Sequence, residues 1–205
     1  SVGGSLGRAA ATGRGAVYCI NFAYDKMHKK IDSTTTVAIH GFGKVGTPAA
    51  EDLADQGAKI VAVSDVSGGV YAEAGLDVPK LVDWVKRGNL LQDYPEINCI
   101  SNDELLALDV DILIPAAIDG VITEKNMETV KARLIAEGAN GPLTKEAVTY
   151  LSDKGVFIIP DILCNAGGVI VSYFEWVQGL QNFFWGLDEI NSKLHGILKD
   201  AFEDV

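Results

Sequence analysis

The stretch TVAIHGFGKVGTPAAEDLADQGAKIVAVSD, residues 36–65, decides the fold that we predict for this chain. It opens with an apolar, partly β-branched run at residues 37–39, which favours a buried parallel strand. Apolar side chains then recur at helical spacing until Gly57, which is placed to end the helix. A second apolar run at residues 60–63 leads to Asp65. The stretch is therefore predicted to form a strand, a glycine-rich turn, a helix and a second strand.

The turn after the first predicted strand, GFGKVG at residues 41–46, fits the pattern G-x-G-x-x-G. The first glycine permits a tight turn, the second lets a pyrophosphate approach the backbone, and the third lets the helix lie close to the sheet. The helix, expected to start near Lys44, directs its free N–H groups and positive dipole end at the phosphates. An acid about 20 residues further on accepts hydrogen bonds from the adenosine ribose. We therefore predict a dinucleotide site that contains Gly41, Phe42, Gly43, Lys44, Val45, Gly46 and Asp65.

The glycine motif alone is weak evidence for a ligand, because glycine turns also end ordinary strands. Here the strand, turn, helix, second strand and acid all fall at the required spacing, which favours a nucleotide. Enzymes that use S-adenosylmethionine have a similar layout. The motif therefore predicts a class of ligand and no particular reaction.

The rest of the chain alternates short apolar runs with amphipathic segments. Further strands are predicted at residues 111–117, 134–136 and 156–160, with a short exposed strand after a turn at residues 67–71. Helices are predicted from residue 9 onward, at residues 78–85, 101–108, 123–131 and 144–154, after Gly168, and at residues 187–205, with a loop at residues 89–98. This order predicts an α/β, Rossmann-like, doubly wound fold with a mainly parallel sheet, helices on both faces and extra helices at both termini.

A single nucleotide-binding domain is predicted to occupy residues 1–205. It would comprise a leading helical or hinge segment at residues 1–30, a Rossmann core at residues 36–160, and C-terminal helices at residues 161–205. Gly13 and Gly15 interrupt the start of the leading helix, where a hinge, a close approach to a ligand or fraying of the helix end would explain them.

Composition argues against two classes of partner. The net charge of −11, from 17 basic and 28 acidic residues, argues against nucleic acid, because phosphate contacts need clustered Lys and Arg. The hydrophobic content of 48% is ordinary, and no apolar run approaches the roughly 20 residues that span a bilayer. We therefore expect neither a nucleic-acid partner nor a membrane.

Neither the cysteines nor the histidines predict a bound metal. The three cysteines form no close pair, which suits reduced thiols in a cytoplasmic protein, and are Cys19, Cys99 and Cys164. The three histidines are scattered without ligand spacing and are His28, His40 and His195. We expect a cytoplasmic location and no metal.

Five separate stretches together resemble one family, the amino-acid dehydrogenases that act on glutamate, leucine, phenylalanine or valine. They are GRAAATGRG at 7–15, GFGKVG at 41–46, VAVSD at 61–65, EGANGPLT at 137–144 and NAGGVIVSYFEWVQ at 165–178. The chain is similar to the carboxyl-terminal nucleotide-binding domain of glutamate dehydrogenase, and the resemblance covers nearly all of it. NAGGV followed by SYFEW is far more specific than a glycine turn.

The resemblance implies further residues around the nicotinamide end of NAD or NADP. Thr12 would hydrogen-bond the carboxamide, Asn140 would contact the same end, and Asn165 would lie beside both nicotinamide and substrate. Ala116 and Ala117 would border the dinucleotide after their strand. Asp65 would repel a 2′-phosphate and so favours NAD, although NADP is an open alternative.

The resemblance also implies a substrate pocket for glutamate or 2-oxoglutarate. Arg8 and Ser172 would hold the side-chain carboxylate, and Val169 would form a wall of the pocket. A buried carboxylate needs such partners, whereas relatives that accept apolar amino acids do not, so these residues favour glutamate. Ser172 could instead bond back to its own helix.

The implied reaction is the NAD(P)-dependent oxidative deamination of L-glutamate to 2-oxoglutarate and ammonium. The family's catalytic lysine and proton-moving aspartate belong to an amino-terminal substrate domain, so no catalytic residue is expected in this chain. Ser1 would lie near the end of that domain. We expect the chain alone to bind nucleotide without turnover, and the intact protein to be a homo-oligomer. A dehydrogenase for another amino acid and a non-catalytic NAD-binding module stay open as alternatives.

Overall fold

A computed structural model of the chain describes residues 4–95 and 97–205, so residues 1–3 of the predicted leading segment lie outside the described residues. Seven strands form one sheet: β1 Thr36–His40, β2 Lys59–Asp65, β3 Gly68–Tyr71, β4 Asn98–Ile100, β5 Ile112–Pro115, β6 Leu134–Ala136 and β7 Phe157–Ile159. Eight α-helices surround it: α1 Ala11–Lys26, α2 Gly46–Asp55, α3 Val78–Lys86, α4 Asn102–Leu106, α5 Lys145–Asp153, α6 Asp161–Cys164, α7 Gly167–Gln181 and α8 Leu187–Asp204.

The strand order is β4-β3-β2-β1-β5-β6-β7, and β2, β1, β5, β6 and β7 run parallel. The chain moves from β1 to one side to make β2, and later returns to the other side of β1 to make β5. The strand order therefore reverses between β1 and β5, which is where ligands bind in doubly wound sheets. The predicted Rossmann-like, mainly parallel fold is confirmed.

Alternate residues of β1 pack into two cores on opposite faces of the sheet. Val37 and Ile39 belong to the core under α1, α2, α7 and α8, whereas Ala38 belongs to the core under α4 and α5. The side-chain period of two in a strand makes this division necessary once both faces are covered by helices. The continuous apolar character of the predicted strand follows from that double burial.

Close backbone contacts, and not fraying, account for the glycines near the start of α1. A Cβ on Gly13 would stand 2.4 Å from the carbonyl oxygen of Val45, and one on Gly15 would stand 3.1 Å from the Cα of Gly167. The start of α1 is therefore wedged between the glycine turn and α7, and any larger residue at Gly13 would force the backbones apart.

Three predictions about local structure were wrong. The helix predicted at residues 123–131 is reduced to a 3-10 turn at Met127–Thr129. The strand predicted as exposed is β3, which is largely buried because the antiparallel strand β4 covers its outer edge. β4 itself lies partly in the segment predicted as loop.

Candidate functional site

An open cleft of about 1010 Å³ lies at the carboxyl ends of β5 and β6, beside the reversal in strand order. Loops after β1, β5 and β6 form one side, and the first turns of α1 and α7 form the other. Its lining residues are Thr12, Val45, Ala116, Ala117, Ile118, Asp119, Gly138, Ala139, Asn140, Gly141, Asn165, Gly168, Val169 and Ser172. The cleft is thus assembled from five segments that are distant in sequence.

The three glycines of the turn after β1 have different surroundings. A Cβ on Gly41, whose φ is +103°, would stand 2.7 Å from the Cα of Ala117, and a Cβ on Gly46 would stand 1.9 Å from the carbonyl oxygen of Gly41. Apart from Gly43 itself and its two chain neighbours, no heavy atom of residues 4–95 or 97–205 lies within 4 Å of the place where a Cβ on Gly43 would stand. The first and third glycines are therefore required by the packing of the chain, whereas the second faces open space.

The backbone of this turn leaves donors free at the start of α2. The N–H groups of Gly41 and Phe42 both donate to the carbonyl oxygen of Ser64, at 3.0 and 2.7 Å. Among the described residues, no chain acceptor is recorded for the N–H groups of Gly43, Lys44 or Val45. Such free donors at a helix N-terminus are suited to an anion, so this edge of the cleft fits a phosphate group.

Phe42 and Lys44 contribute backbone and not side chain to this turn. The Phe42 ring is buried in the core beneath α1 and α2, whereas the Lys44 side chain is exposed to solvent. Of the six turn residues, Val45 is the one that lines the cleft.

The first turns of α1 and α7 meet where Thr12 lies against Gly168. A Cβ on Gly168 would stand 2.5 Å from the Thr12 hydroxyl oxygen, so glycine at this position is what admits the threonine side chain to the cleft wall. Thr12 and Gly168 both line the cleft. The hydroxyl of Thr12 therefore lies at the contact between the two helices.

Two asparagines join the loop after β6 to the loop before α7. The Asn165 side-chain amide donates to the Asn140 side-chain oxygen at 2.7 Å. The neighbouring backbone is braced too, since Asp161 Oδ2 accepts the Gly141 N–H at 2.8 Å. Glu137 Oε2 in turn accepts the Asp161 N–H at 2.9 Å. The amide groups at this edge of the cleft are therefore held by a continuous hydrogen-bonded network.

Glu137 is a buried acid behind this network, with 6% of its surface exposed. Burial raises the pKa of its carboxyl group and the nearby charge of Asp161 raises it further, while the hydrogen bond from the Asp161 N–H acts in the opposite direction. Sequence reasoning missed this residue because its partners become neighbours only when β6 and β7 pair.

At the α7 wall, Ser172 lines the cleft and donates its hydroxyl to the Gly168 carbonyl oxygen at 2.8 Å. Val169 is 76% exposed into the same space. Arg8 does not line the cleft. Its guanidinium pairs with Glu175, one helical turn beyond Ser172, at 2.8 Å.

Asp65 stands at the end of β2, away from the main cleft, and its carboxylate is held by the chain. Oδ1 accepts the N–H of Ser67 at 2.7 Å and also the Ser67 hydroxyl, and Oδ2 accepts the Leu91 N–H at 2.9 Å. Oδ1 already accepts two hydrogen bonds, whereas Oδ2 accepts one and keeps a further lone pair, so the contacts fix the acid without excluding a ribose hydroxyl.

Three buried polar atoms near the same end of β1 and β2 have no recorded partner among the described residues. They are His40 Nδ1, Ser64 Oγ and Asn102 Oδ1. Burial lowers the pKa of the His40 imidazole, and the carboxylate of Asp103 acts in the opposite direction. Burial thus favours the neutral form of His40.

The cleft gathers eight of the fifteen predicted site residues and leaves seven outside its lining. Those that line it are Thr12, Val45, Ala116, Ala117, Asn140, Asn165, Val169 and Ser172. Those that do not are Arg8, Gly41, Phe42, Gly43, Lys44, Gly46 and Asp65. The lining residues that sequence reasoning missed adjoin predicted ones, as Gly138, Ala139 and Gly141 adjoin Asn140.

Two further features concern the described chain as a whole. Within residues 4–95 and 97–205, no group of three His, Cys, Asp or Glu side chains is placed to hold a metal ion. Among the helices described, none has both the length and the apolar character that crossing a bilayer requires.

Comparison with known proteins extends over the whole chain. A family model described as Glutamate/Leucine/Phenylalanine/Valine dehydrogenase matches residues 3–205. The sequence is 50% identical over 206 residues to a glutamate dehydrogenase of Thermotoga maritima, covering 100% of this chain and 49% of that protein. It is 45% identical over 214 residues to an NADP-specific glutamate dehydrogenase of Synechocystis, covering 100% of this chain and 50% of that protein.

A solved structure has the same architecture. The hetero-hexameric glutamate dehydrogenase of Thermus thermophilus, in its leucine-bound form, aligns with a TM-score of 0.90 at 32% identity, covering 98% of this chain and 47% of that chain. The present chain therefore spans about half the length of the relatives that it matches.

Proposed function

The chain belongs to the glutamate/leucine/phenylalanine/valine dehydrogenase family, and from that premise we propose that it is the nucleotide-binding part of an NAD(P)-dependent glutamate dehydrogenase. The intact enzyme would convert L-glutamate to 2-oxoglutarate and ammonium. The observation that carries this proposal is the open space at Gly43 beside three free backbone N–H groups, because packing of the chain explains the other two glycines of the motif but not this one.

Dinucleotide binding is supported by the distribution of polar groups around the cleft. The free N–H groups after β1 would hold the pyrophosphate, where a helix N-terminus favours negative charge. Thr12, Asn140 and Asn165 supply hydroxyl and amide groups suited to the nicotinamide carboxamide. Ala116 and Ala117 offer small apolar surface between these two regions.

When bound, the nicotinamide ring supplies the acceptor for a hydride. The residues of this chain would position that ring: Thr12, Asn140 and Asn165 would hold its carboxamide, and Val169 would lie beside it. Holding reactants in a fixed geometry contributes a large part of enzymatic rate enhancement. The family's proton-transferring residues would lie in a second domain, so this chain alone would bind nucleotide without turnover.

We propose NAD as the preferred cofactor, with NADP as the alternative. The carboxylate of Asp65 is fixed by Ser67 and Leu91 at the end of β2, where a negative charge opposes a 2′-phosphate. The Synechocystis relative is named NADP-specific, so a member of this family can use the other cofactor. The effect of Asp65 on the choice between NAD and NADP is therefore a prediction to be measured by substitution.

Glutamate is proposed as the substrate because the α7 wall offers a hydroxyl and a cation to a side-chain carboxylate. Ser172 lines the cleft, and Arg8, from the segment before α1, pairs with Glu175 one helical turn further along α7. Val169 would form the apolar wall of the pocket. A buried carboxylate without such partners would be strongly disfavoured.

A second candidate, dehydrogenation of an apolar amino acid, is favoured by one observation. The Ser172 hydroxyl already donates to Gly168, and the Arg8 guanidinium is already paired with Glu175. If both stay engaged, the wall that remains is apolar at Val169. Replacing Ser172 with Ala in the intact enzyme separates the candidates: loss of glutamate use supports glutamate, and an unchanged preference supports the alternative.

The proposal includes a further domain, a homo-oligomeric intact protein and a cytoplasmic location with reduced thiols at Cys19, Cys99 and Cys164.

The direct test of nucleotide binding is a fluorescence titration of the purified chain with NADH and NADPH, with S-adenosylmethionine as the competing class of ligand. Saturable binding of either dinucleotide supports the proposal, and the tighter one identifies the cofactor. Binding of S-adenosylmethionine alone would overturn it.

A further inference from the structure

Glu175 on α7 receives hydrogen bonds from the segment that precedes α1, about 170 residues earlier in the sequence. Arg8 Nη1 lies 2.9 Å from Oε1 and 2.8 Å from Oε2 of the Glu175 carboxylate. The backbone N–H of Ser5 also points to Oε2, at 3.4 Å. One carboxylate therefore fastens two residues of the leading segment to α7.

Gln178, one turn further along α7, anchors the same segment from a buried position. Its side chain is 1% exposed, and its amide nitrogen donates to the Ser5 hydroxyl at 3.1 Å. Its side-chain oxygen accepts the Trp185 N–H at 2.8 Å. Gln178 thus ties the leading segment to the turn between α7 and α8, which gives the anchor a rigid base.

The spacing along α7 brings these contacts close to the cleft. Ser172 and Glu175 are three residues apart, so their side chains lie on the same side of the helix. The guanidinium of Arg8 is therefore paired with a carboxylate whose residue lies one helical turn from Ser172 on α7. Without that pairing, a long arginine side chain that is 55% exposed would sample many rotamers.

The pairing leaves most of the guanidinium available. A guanidinium has five N–H donors, and the bonds to Glu175 all come from Nη1. Among residues 4–95 and 97–205, no bond from the Nη2 or Nε donors is recorded, and arginine can bind a second carboxylate through them in a bidentate manner. Glu175 can therefore orient Arg8 without occupying it fully.

We propose that Glu175 is a positioning residue for the carboxylate-binding end of the cleft: it holds Arg8 beside Ser172, with Gln178 fixing the peptide that carries Arg8. This inference rests on the proposed function, because the bound group would be the side-chain carboxylate of a dicarboxylic amino acid. Glu175 acts through Arg8 and does not itself contact the substrate.

The first test uses amide hydrogen exchange in the 205-residue chain to measure how strongly Glu175 holds the segment that contains Ser5 and Arg8. Glu175→Gln keeps the side-chain volume but removes the charge, and should speed exchange at Ser5 roughly fivefold, the factor expected for an exposed ion pair. Asp109→Asn is the matched control, because it breaks the exposed pair of Asp109 with Arg133 elsewhere on the surface. An unchanged exchange rate at Ser5 in Glu175→Gln overturns the inference, whatever KM and kcat are measured for the joined enzyme.

The second test measures positioning in a full-length enzyme that joins this chain to the other half of the Thermotoga maritima relative. Glu175→Gln should raise KM for glutamate roughly fivefold while leaving kcat and KM for the nucleotide unchanged. Arg8→Ala should have a similar effect, and the double variant should be little worse than Arg8→Ala alone. An equal loss with an apolar amino acid, or a fall in kcat alone, would contradict the positioning role.

The two proposals fail in different ways. If the unmodified joined enzyme oxidises no glutamate, the proposed function fails, and the exchange measurement then decides the Glu175 contact by itself. If glutamate is oxidised and the KM of Glu175→Gln is unchanged, the proposed function stands and the positioning inference fails.

Discussion

The side-chain amide of Asn165 donates a hydrogen bond of 2.7 Å to the side-chain oxygen of Asn140, across the mouth of the cleft. Asn140 lies in the crossover between β6 and β7, whereas Asn165 lies between α6 and α7, after the last strand. Their contact leaves the Asn140 nitrogen and the Asn165 oxygen free to bond a ligand. A carboxamide, which needs one donor and one acceptor, is matched by that pair.

We expect Asn165→Ala to weaken NADH binding to the purified chain roughly tenfold, because it removes one ligand contact and releases Asn140. ADP-ribose lacks the nicotinamide, so its affinity should not change. Isothermal titration with both ligands provides the comparison. Equal weakening of NADH and ADP-ribose would show that the pair supports the fold and not the nicotinamide end.

Gly43→Val should leave the fold intact and abolish nucleotide binding. The added side chain meets open space in the protein, yet it projects where the backbone of the turn would approach a pyrophosphate. Circular dichroism melting and NADH titration measure the two effects separately. We expect a melting temperature close to that of the unmodified chain, with binding at least roughly a hundredfold weaker.

Gly46→Ala gives the opposite result and serves as the comparison for Gly43. Its Cβ would stand 1.9 Å from the Gly41 carbonyl oxygen, so the turn must deform at a cost of roughly 3 kcal/mol. Gly196→Ala, at an exposed position in α8 with open space around it, should stabilise the chain by about 0.5–1 kcal/mol. A Gly43→Val protein as unstable as Gly46→Ala would refute our distinction between these glycines.

Asp65→Asn should lower the preference for NADH over NADPH. The substitution removes the charge that opposes a 2′-phosphate and keeps an acceptor oxygen for one of the two N–H groups that bind Asp65. We expect the ratio of the two dissociation constants to move roughly tenfold towards NADPH. Asp93→Asn is a control of equal charge change in the 3-10 turn Leu91–Asp93, and a similar change in ratio there would implicate overall charge instead.

Glu137 predicts a particular dependence of stability on pH. Burial raises the pKa of its carboxyl in the folded protein above the ordinary value of 4.5, so the folded state binds a proton more tightly than the unfolded chain. The resulting stabilisation is complete below that ordinary value and is lost as pH rises through the folded-state pKa. Denaturant unfolding should show that Glu137→Gln removes this fall in stability, whereas Glu203→Gln, at an exposed site, retains it. A fall of equal size in both variants would exclude Glu137 as its source.

The segment around the glycine turn was predictable because its signals are local. An apolar run, three spaced glycines and a helical stripe all lie within residues 36–65, and β1, α2 and β2 follow that order. The helix predicted at residues 123–131 failed because side chains compete for the backbone. Asn126 accepts the Thr123 N–H at 2.8 Å and donates to the Val121 carbonyl oxygen at 2.8 Å, which stabilises a turn instead.

Strand β4 was not predictable for a different reason. It has three residues, and its exposed character is ordinary for the edge of a sheet, where pairing with β3 decides its conformation. The same limit applies to the site. Glu175 and Gln178 contribute to the site through their hydrogen bonds with Arg8 and Ser5. No sequence pattern connects residues that are about 170 positions apart.

The difference between Gly43 and the other two glycines of the motif, Gly41 and Gly46, predicts how each position would change during evolution. A descendant that kept this fold but lost its nucleotide would still be held to glycine at positions 41 and 46, because the backbone of Ala117 and the turn itself leave no room for a side chain. At position 43, selection would relax at once, since a side chain there meets open space. Among descendants of this chain, residue 43 would therefore record whether the ligand was retained, while the other two glycines would record ancestry of the fold alone.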